Sequence, residues 1–477
     1  MKLRFAPSPT GALHVGSARV AILNFLFAKH YHANLVLRIE DTDLERSTNE
    51  SVQDILQTLH WLGIYFQEGP YYQSQRTDLY QKYIQILLDK NQAYRCFCSS
   101  QDLEEMRNKQ IESHEPPGYD GTCSHLAVDT VQKYLSEGKP FVVRLRVPNR
   151  MLEFQDLIKG TVSFDGSLIP DFVIARQDGS PTYQLAVVVD DYEMGITHVI
   201  RGEDHVSNTP KQIAIYQALD LPLPQFAHIP LIIGQDRSKL SKRHGDTSIN
   251  AYREKGYLSD ALVNYFALLG NSHDPNQEIQ SLQEMIDQTS FENLSKSPSM
   301  FDLNKLTWMN HCYIQNLPQE AFLQIVEPFT NGIALPESTI QEIAALSQTQ
   351  MKTLQSIQDI CEPFVQYKID WSEKNTQKLL KKSELIGFLE QFLKSIQNLE
   401  EYSISQLEEK FDNLLAKWEI KKRDAVQIIR FAVTGKLISP PLFDTLFLIG
   451  QRESIERMNQ FLQEVVCQRQ EIRTEKI

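Results

Sequence analysis

No stretch of this 477-residue chain is apolar enough over the roughly 20 residues that a bilayer-crossing helix needs. The opening MKLRFAPSP puts prolines where a secretory leader carries its apolar run. The expectation is a protein without a signal peptide, working in the cytoplasm with reduced thiols. Basic charge is in deficit: 48 Lys and Arg face 61 Asp and Glu, a formal net charge of -13. That balance argues against a general nucleic-acid coat, but it leaves room for an enzyme with a local basic face that binds RNA selectively. Cysteine is scarce, at six residues, and Cys312, Cys361 and Cys467 are scattered, as structural thiols are. No internal repeat or low-complexity tract is present. The rest is ordinary for a globular protein, 42% hydrophobic and 23% charged, and the length implies three to five domains.

What stands out is the first strand-turn-helix. Leu3 to Ala6 is a short apolar run, and Pro7 and Pro9 stop it in the turn PSPTG. His14-Val15-Gly16-Ser17 follows, then a helical run with Val20, Leu23 and Phe27 in phase. Gly16 lets a ligand approach the backbone, and the helix start beside it is a seat for phosphate. Two common phosphate motifs do not fit. Gly11 and Gly16 have P-loop spacing, but Ser17-Ala18 follows where a lysine is required, and no G-x-G-x-x-G fingerprint occurs here. A lone turn histidine is usually only that. Here the prolines, the glycines and a distant lysine loop, Lys239-Leu240-Ser241-Lys242-Arg243, change the balance.

These residues carry a resemblance. PSPTG-x-LHVG is similar to the "HIGH" signature of class I aminoacyl-tRNA synthetases, in the form used for glutamate and glutamine. The lysine loop resembles that family's "KMSKS" segment, and RIEDTD lies between the two. Along its whole length the chain resembles the bacterial glutamyl-tRNA synthetases. The resemblance implies an α/β, Rossmann-like catalytic domain in two halves, residues 1–78 and 185–238. An inserted α+β acceptor-stem-binding domain would span 79–184. The lysine loop and a stem-contact helical domain would take 239–318, and all-α anticodon-binding domains 319–477.

Several segments suit that plan. Asn34 to Glu40 reads as the second strand of a βαβ unit, and its acidic end should face the same crevice as PSPTG. Asp41 and Asp43 fit turn chemistry as well as function, while Glu40 directly ends the strand. Val52 to Leu62 and Leu79 to Lys90 are amphipathic. Phe141 to Val147 alternates as a strand; Phe154 to Val162 and Ile169 to Ala175 add others. Leu185 to Val189, almost wholly apolar, is expected to be a buried parallel strand ending at Asp190-Asp191. Thr197 to Arg201 and Ala227 to Ile233 complete the set. Asp260 to Leu269 reads as a buried helix stopped by Gly270. Beyond about residue 320, helical runs alternate with polar turns: Ile340 to Ile357, Thr376 to Leu399, Ser405 to Trp418, Lys421 to Thr434 and Glu453 to Val466.

Cys96-x-Cys98 and Cys123-x-His125, 24 residues apart, offer soft thiolates and an imidazole suited to four-coordinate zinc. Cysteine pairs packed in a small subdomain are the plain alternative to that spacing. The family resemblance favours a structural Zn²⁺ on Cys96, Cys98, Cys123 and His125, stiffening the insertion that meets the tRNA acceptor end. Tyr119 would pack nearby without being needed as a ligand.

The resemblance also assigns roles. Glutamate and ATP, with Mg²⁺ on the phosphates, would give glutamyl-adenylate, and the glutamyl group would pass to the 3′ end of tRNA-Glu. Charge building on the phosphate oxygens calls for fixed donors and cations. His14, Gly16, Lys239 and Lys242 would be catalytic, and Pro7, Ser8, Ser17, Ser241 and Arg243 would join them around ATP. Arg4, Ser8, Glu40, Tyr183 and Arg201 would hold L-glutamate: arginine suits its side-chain carboxylate, and Glu40 its ammonium. Arg201 could instead be a strand-end partner of Glu203. Val187 stands where some members carry Asn and is left as pocket wall. The helical last third separates the chain from glutaminyl-tRNA synthetases, whose anticodon region is β-barrel. The intact His14 and lysine loop set it apart from a non-catalytic tRNA-binding relative. Whether tRNA-Gln is also charged stays open at Gln350. A monomer is the family expectation.

Overall fold

The computed structural model describes residues 1–43, 46–241, 243, 245–271, 276–369, 371 and 382–474. Lys242 and His244, and residues 376–381 of the run expected to begin at Thr376, lie outside the described residues. Two compact units emerge: residues 1–253 with 259–303, and residues 254–258 with 304–477.

The first unit begins with β1 (Lys2–Phe5), α1 (Val15–His30) and β2 (Asn34–Ile39). β1 and β2 pair in parallel, Arg4 opposite Val36, as an α-helical crossover requires. α1 is apolar on nearly all sides, so it lies buried rather than on the surface. α2 (Asn49–Trp61) leads to β3 (Glu68–Tyr72), parallel to β2. α3 (Thr77–Asp89) then opens an excursion made of β4 (Ala93–Cys96), α4 (Ser100–Glu112), α5 (Val128–Ser136), β5 (Val142–Leu145), β6 (Met151–Asp156), β7 (Gly160–Asp165) and β8 (Val173–Ala175). β4, β5 and β8 form an antiparallel sheet. The chain returns through α6 (Tyr183–Glu193), β9 (His198–Gly202), α7 (Thr209–Ala218) and β10 (Gln225–Ile229). β10 pairs in parallel with both β9 and β6. The Thr197 amide donates to Lys2 O at 3.0 Å, which sets the start of β9 beside β1.

Two strand expectations need correction. Leu185 to Val189 is the body of helix α6, not a parallel strand. A short apolar run buried on every side reads alike in either state, and length alone cannot separate them. Asp190 and Asp191 therefore sit in a last helical turn, which Gly195 at φ 66° follows. Phe154 to Val162 is not one strand but the hairpin β6–β7. Asp156 turns the chain by accepting from the amides of Ile158 and Lys159 at 2.9 and 2.8 Å, and Gly160 follows at φ 84°.

The second unit is helical among its described residues, as expected. One core gathers Phe322, Ile343, Met351, Leu354 and Cys361; another gathers Phe388, Phe392, Phe411, Phe431 and Phe461. The run expected from Ile340 to Ile357 is broken into helices Glu337–Ser347 and Ser356–Val365. Among the described residues, no helix is long and apolar enough to cross a membrane.

Candidate active site and metal centre

A cavity of about 490 Å³ opens in the first unit where the ends of β1, β2, β9 and β10 meet the start of α1. That is the crevice beyond the strand ends expected of an open parallel sheet. His14 is the N-cap of α1, and its Nδ1 accepts the Gly16 amide at 3.2 Å. Burial, and then Lys239, push its pKa below the usual histidine value. The ring is thus neutral at pH 7, with its proton on Nε2, free to donate to an anion. Val15 N donates to Thr247 O at 2.9 Å and Ile249 N to Leu13 O at 3.1 Å, so the segment after the lysine loop is laced to the histidine turn. At the loop's other end Lys239 bridges Ile233. Lys239 lines the cavity, 63% exposed and 3.6 Å from Asp204.

Pro7, Ser8, His14, Gly16, Ser17, Arg4, Glu40, Tyr183 and Arg201 all border this cavity, together with Thr10 and His205. The described Ser241 and Arg243 do not border it. Arg243 turns to Asp236 at 3.2 Å and to Ser238 Oγ at 2.6 Å.

Beneath the cavity lies a buried charge network. Arg38 meets Asp191 at 2.7 Å, Glu40 at 3.1 Å and Asp190 at 3.8 Å. Burial opposes its charge, but these carboxylates outweigh burial and raise its pKa. Asp191 also takes Arg4 Nε at 3.3 Å. Burial works against the Asp191 charge, yet Arg4 and Arg38 hold its carboxyl below the usual range. For Glu40 burial prevails over Arg38 and Arg4 and pushes the carboxyl up, which a ligand ammonium would reverse. Arg201 does not pair with Glu203, which binds Lys159 at 2.5 Å and the Leu231 amide at 2.8 Å instead. Arg201 bonds His228 and Thr209, and its buried Nη1 has no hydrogen-bond partner. Tyr183 Oη lies 3.0 Å from Nδ1 of His205, whose pKa is pushed down to about 4 by burial and Arg201. Val187 is buried in α6.

The metal centre differs from its expected make-up. The ligand atoms of Cys96, Cys98 and Cys123 lie within 4.8 Å of one another. His125 is not with them; its side chain is exposed at the end of a 3₁₀ turn. The Tyr119 hydroxyl takes that place, 3.4 Å from Cys96 Sγ and 3.7 Å from Cys98 Sγ, and it accepts the Cys123 amide at 2.9 Å. Hydrogen bonding from Cys123 outweighs burial and pulls the Cys96 thiol down to about 4. Burial raises the Cys98 thiol, and the hydrogen bond with Cys96 followed by burial raises that of Cys123, with the Cys96 charge adding to both. Three sulfurs gathered this closely are soft donors that fit a structural zinc ion, and the Tyr119 hydroxyl lies beside them.

Sequence reasoning expected Tyr119 to pack near the cysteines, where it lies, but singled out neither its hydroxyl nor His228, Asp156 and Thr209 behind Arg201. The local sign of the Tyr119 hydroxyl's place is a tyrosine four residues before Cys123, between Gly118 and Gly121. The others share no motif.

A HIGH-type histidine turn laced to a lysine loop at the mouth of a split parallel sheet, with a helical unit following, defines a class I aminoacyl-tRNA synthetase. Residues 1–308 match the family described as "tRNA synthetases class I (E and Q), catalytic domain", and residues 321–462 match "Anticodon binding domain". The chain is 42% identical to glutamate–tRNA ligase 1 of Caldanaerobacter subterraneus, covering 97% of this chain and 98% of that one. It is also 42% identical to glutamate–tRNA ligase of Carboxydothermus hydrogenoformans, over 97% and 100%. The crystal structure of a glutamate tRNA ligase from Elizabethkingia meningosepticum in complex with its amino acid superposes with TM-score 0.84 at 30% identity, covering 98% and 99%. The chain belongs to the glutamate–tRNA ligase family.

Proposed function

We propose that the cavity activates L-glutamate with Mg-ATP and transfers the glutamyl group to the 3′ end of tRNA-Glu. The observation that carries this reading is one cavity holding both a nucleotide-type end and an amino-acid end. His14, the Gly16 backbone and Lys239 line the first; Arg4, Glu40, Tyr183 and Arg201 line the second. A substrate α-carboxylate oxygen attacks the α-phosphorus, the bond to the bridging oxygen breaks, and pyrophosphate leaves. His14 Nε2–H and the start of α1 donate to the phosphate oxygens, and Lys239 supplies positive charge, which such a transition state rewards more than a proton carrier. Lys242 joins Lys239 on the strength of the sequence. The unpartnered Nη1 of Arg201 suits the side-chain carboxylate, and Glu40 suits the ammonium. A terminal ribose hydroxyl then attacks the acyl carbonyl, and AMP leaves.

The domain plan suits these steps. Residues 1–78 and 185–238 do the chemistry, 79–184 meet the acceptor end, 239–318 carry the lysine loop and stem contacts, and 319–477 read the anticodon. In this reading the fourth zinc donor is Tyr119 in place of His125. Zinc there supplies no chemistry to the reaction; it pins the loop after α4 to β4. The enzyme works as a cytoplasmic monomer.

The deciding experiment is charging of purified tRNA-Glu and tRNA-Gln with labelled glutamate, with glutamine in parallel. Glutamate on tRNA-Glu alone marks a discriminating enzyme. Glutamate on both marks a permissive anticodon site, and transfer to neither overturns the reading.

A further inference from the structure

Two arginines at the amino-acid end are held in opposite ways. Arg4 meets the Asp191 carboxylate directly at 3.3 Å, so its charge is compensated. Arg201 meets no carboxylate among the described ion pairs. Its Nε–H lies 3.1 Å from His228 Nε2. A guanidinium only donates, so Nε2 is the acceptor and the imidazole proton sits on Nδ1. There it meets Asp156 Oδ2 at 2.6 Å, and the same oxygen accepts the His228 amide at 3.1 Å. Arg201 Nη2 donates to Thr209 Oγ1 at 2.8 Å. His228 and Thr209 are fully buried and Asp156 nearly so. Two of the three guanidinium nitrogens are thereby fixed in plane, and the buried Nη1 is the one left without a partner.

We propose that Asp156, His228 and Thr209 form a positioning array that aligns the Arg201 fork for the substrate's side-chain carboxylate while keeping every carboxylate out of direct contact with it. This rests on the reading of Arg201 as the partner of that carboxylate. A carboxylate placed directly on Arg201 would hold the fork equally well, but it would spend the charge that separates glutamate from neutral glutamine. The imidazole is a spacer: it passes on the orientation set by Asp156 and keeps the negative charge one ring away. Burial lowers the His228 pKa, and Arg201 and Lys159 oppose a charge on the ring as Asp156 favours one, so the spacer stays neutral. Replacing it removes one acceptor from a charged donor, a loss that ordinarily exceeds that of a neutral hydrogen bond.

The test is steady-state charging of tRNA-Glu by the full-length enzyme and its variants His228→Leu, His228→Gln, Thr209→Val and Arg201→Lys, with glutamate and ATP varied in turn. In His228→Leu the KM for glutamate rises at least about tenfold, the ATP KM stays within about twofold, and the preference for glutamate over glutamine falls. His228→Gln, whose amide oxygen can still accept from Nε, keeps the glutamate KM within about threefold. Thr209→Val shows the same split as His228→Leu in a shape-preserving substitution, so the proposal is decided even if the leucine variant does not fold. Two results overturn it: an unchanged glutamate KM in both His228→Leu and Thr209→Val, or equal rises for glutamate and ATP. Arg201→Lys separates the two claims. If it leaves the glutamate KM unchanged, the reading of Arg201 itself falls; if it raises that KM while His228→Leu and Thr209→Val do not, only the positioning array falls.

Discussion

Arg38 is wholly buried and answers three carboxylates at once. Replacing it with methionine fills much of the volume but leaves Asp190, Asp191 and Glu40 without that cation. Breaking a buried pair in this way costs about 3–5 kcal/mol, so Arg38→Met should lower the thermal midpoint sharply and raise the glutamate KM, both measurable on one preparation. His205 gives a pH prediction. Its pKa is about 4 when folded, against about 6.5 in an unfolded chain. As pH falls through that interval the unfolded chain binds the proton first, so this contribution to stability is full above about 6.5 and lost toward 4. His14 and His228 are lowered in the same sense. Midpoints measured from pH 8 to pH 5 should therefore fall on the acid side, and His205→Asn should flatten the curve. A pH-independent midpoint would contradict the burial of these rings. At this scale the sequence was legible where neighbours in space are neighbours in the chain. His14 and Gly16 could be read from one short turn. His228 and Asp156, 72 positions apart, could not, because nothing local links a strand histidine to a hairpin aspartate.

Among the elements, the loop after α4 is the one that a metal would organise. Tyr119→Phe removes the hydroxyl proposed as the fourth donor and leaves the ring, over which the Arg144 guanidinium sits at 3.8 Å. The expected outcome is weaker zinc retention against a chelator, read by zinc content after dialysis, with His125→Ala indistinguishable from the parent. The opposite ranking would restore the histidine. The three cysteines were legible as soft ligands grouped in one short stretch, and the family resemblance, more than their spacing, pointed to zinc. The fourth expected partner, His125, is not beside them, because the 3₁₀ turn Thr122–His125 sends Cys123 inward and leaves His125 exposed. Helix α6 was misread for a different reason. Five apolar residues carry no period when every side is buried, and the acidic pair that follows resembles a strand end as readily as a last helical turn. The strands β1, β2 and β9, by contrast, were placed to within a residue or two, since each is bounded by proline, glycine or acidic turn residues.

At the scale of the whole molecule, an acidic chain must bind a polyanion. With a net charge of -13, its tRNA contacts rest on local basic surface and on counterion release. Between about 50 and 200 mM salt the tRNA KM should rise by at least about tenfold, whereas the glutamate KM, set by buried pairs, should move far less. Parallel shifts of both would mean that salt acts on the fold rather than on the interface.

Asp190 has one further consequence. From α6 it reaches Gln73 at 2.8 Å, Arg76 at 2.7 Å and Tyr80 at 2.8 Å, all at the point where the chain departs for β4 to β8. The departure and the return of that long excursion are thus fastened to each other, and Asp191, the next residue, fastens the return to β1 and β2. The junction works as a socket. Changes of length within β4 to β8 should therefore leave the cavity lining at Arg4 and Glu40 in place, because both ends of the excursion are held at the junction itself.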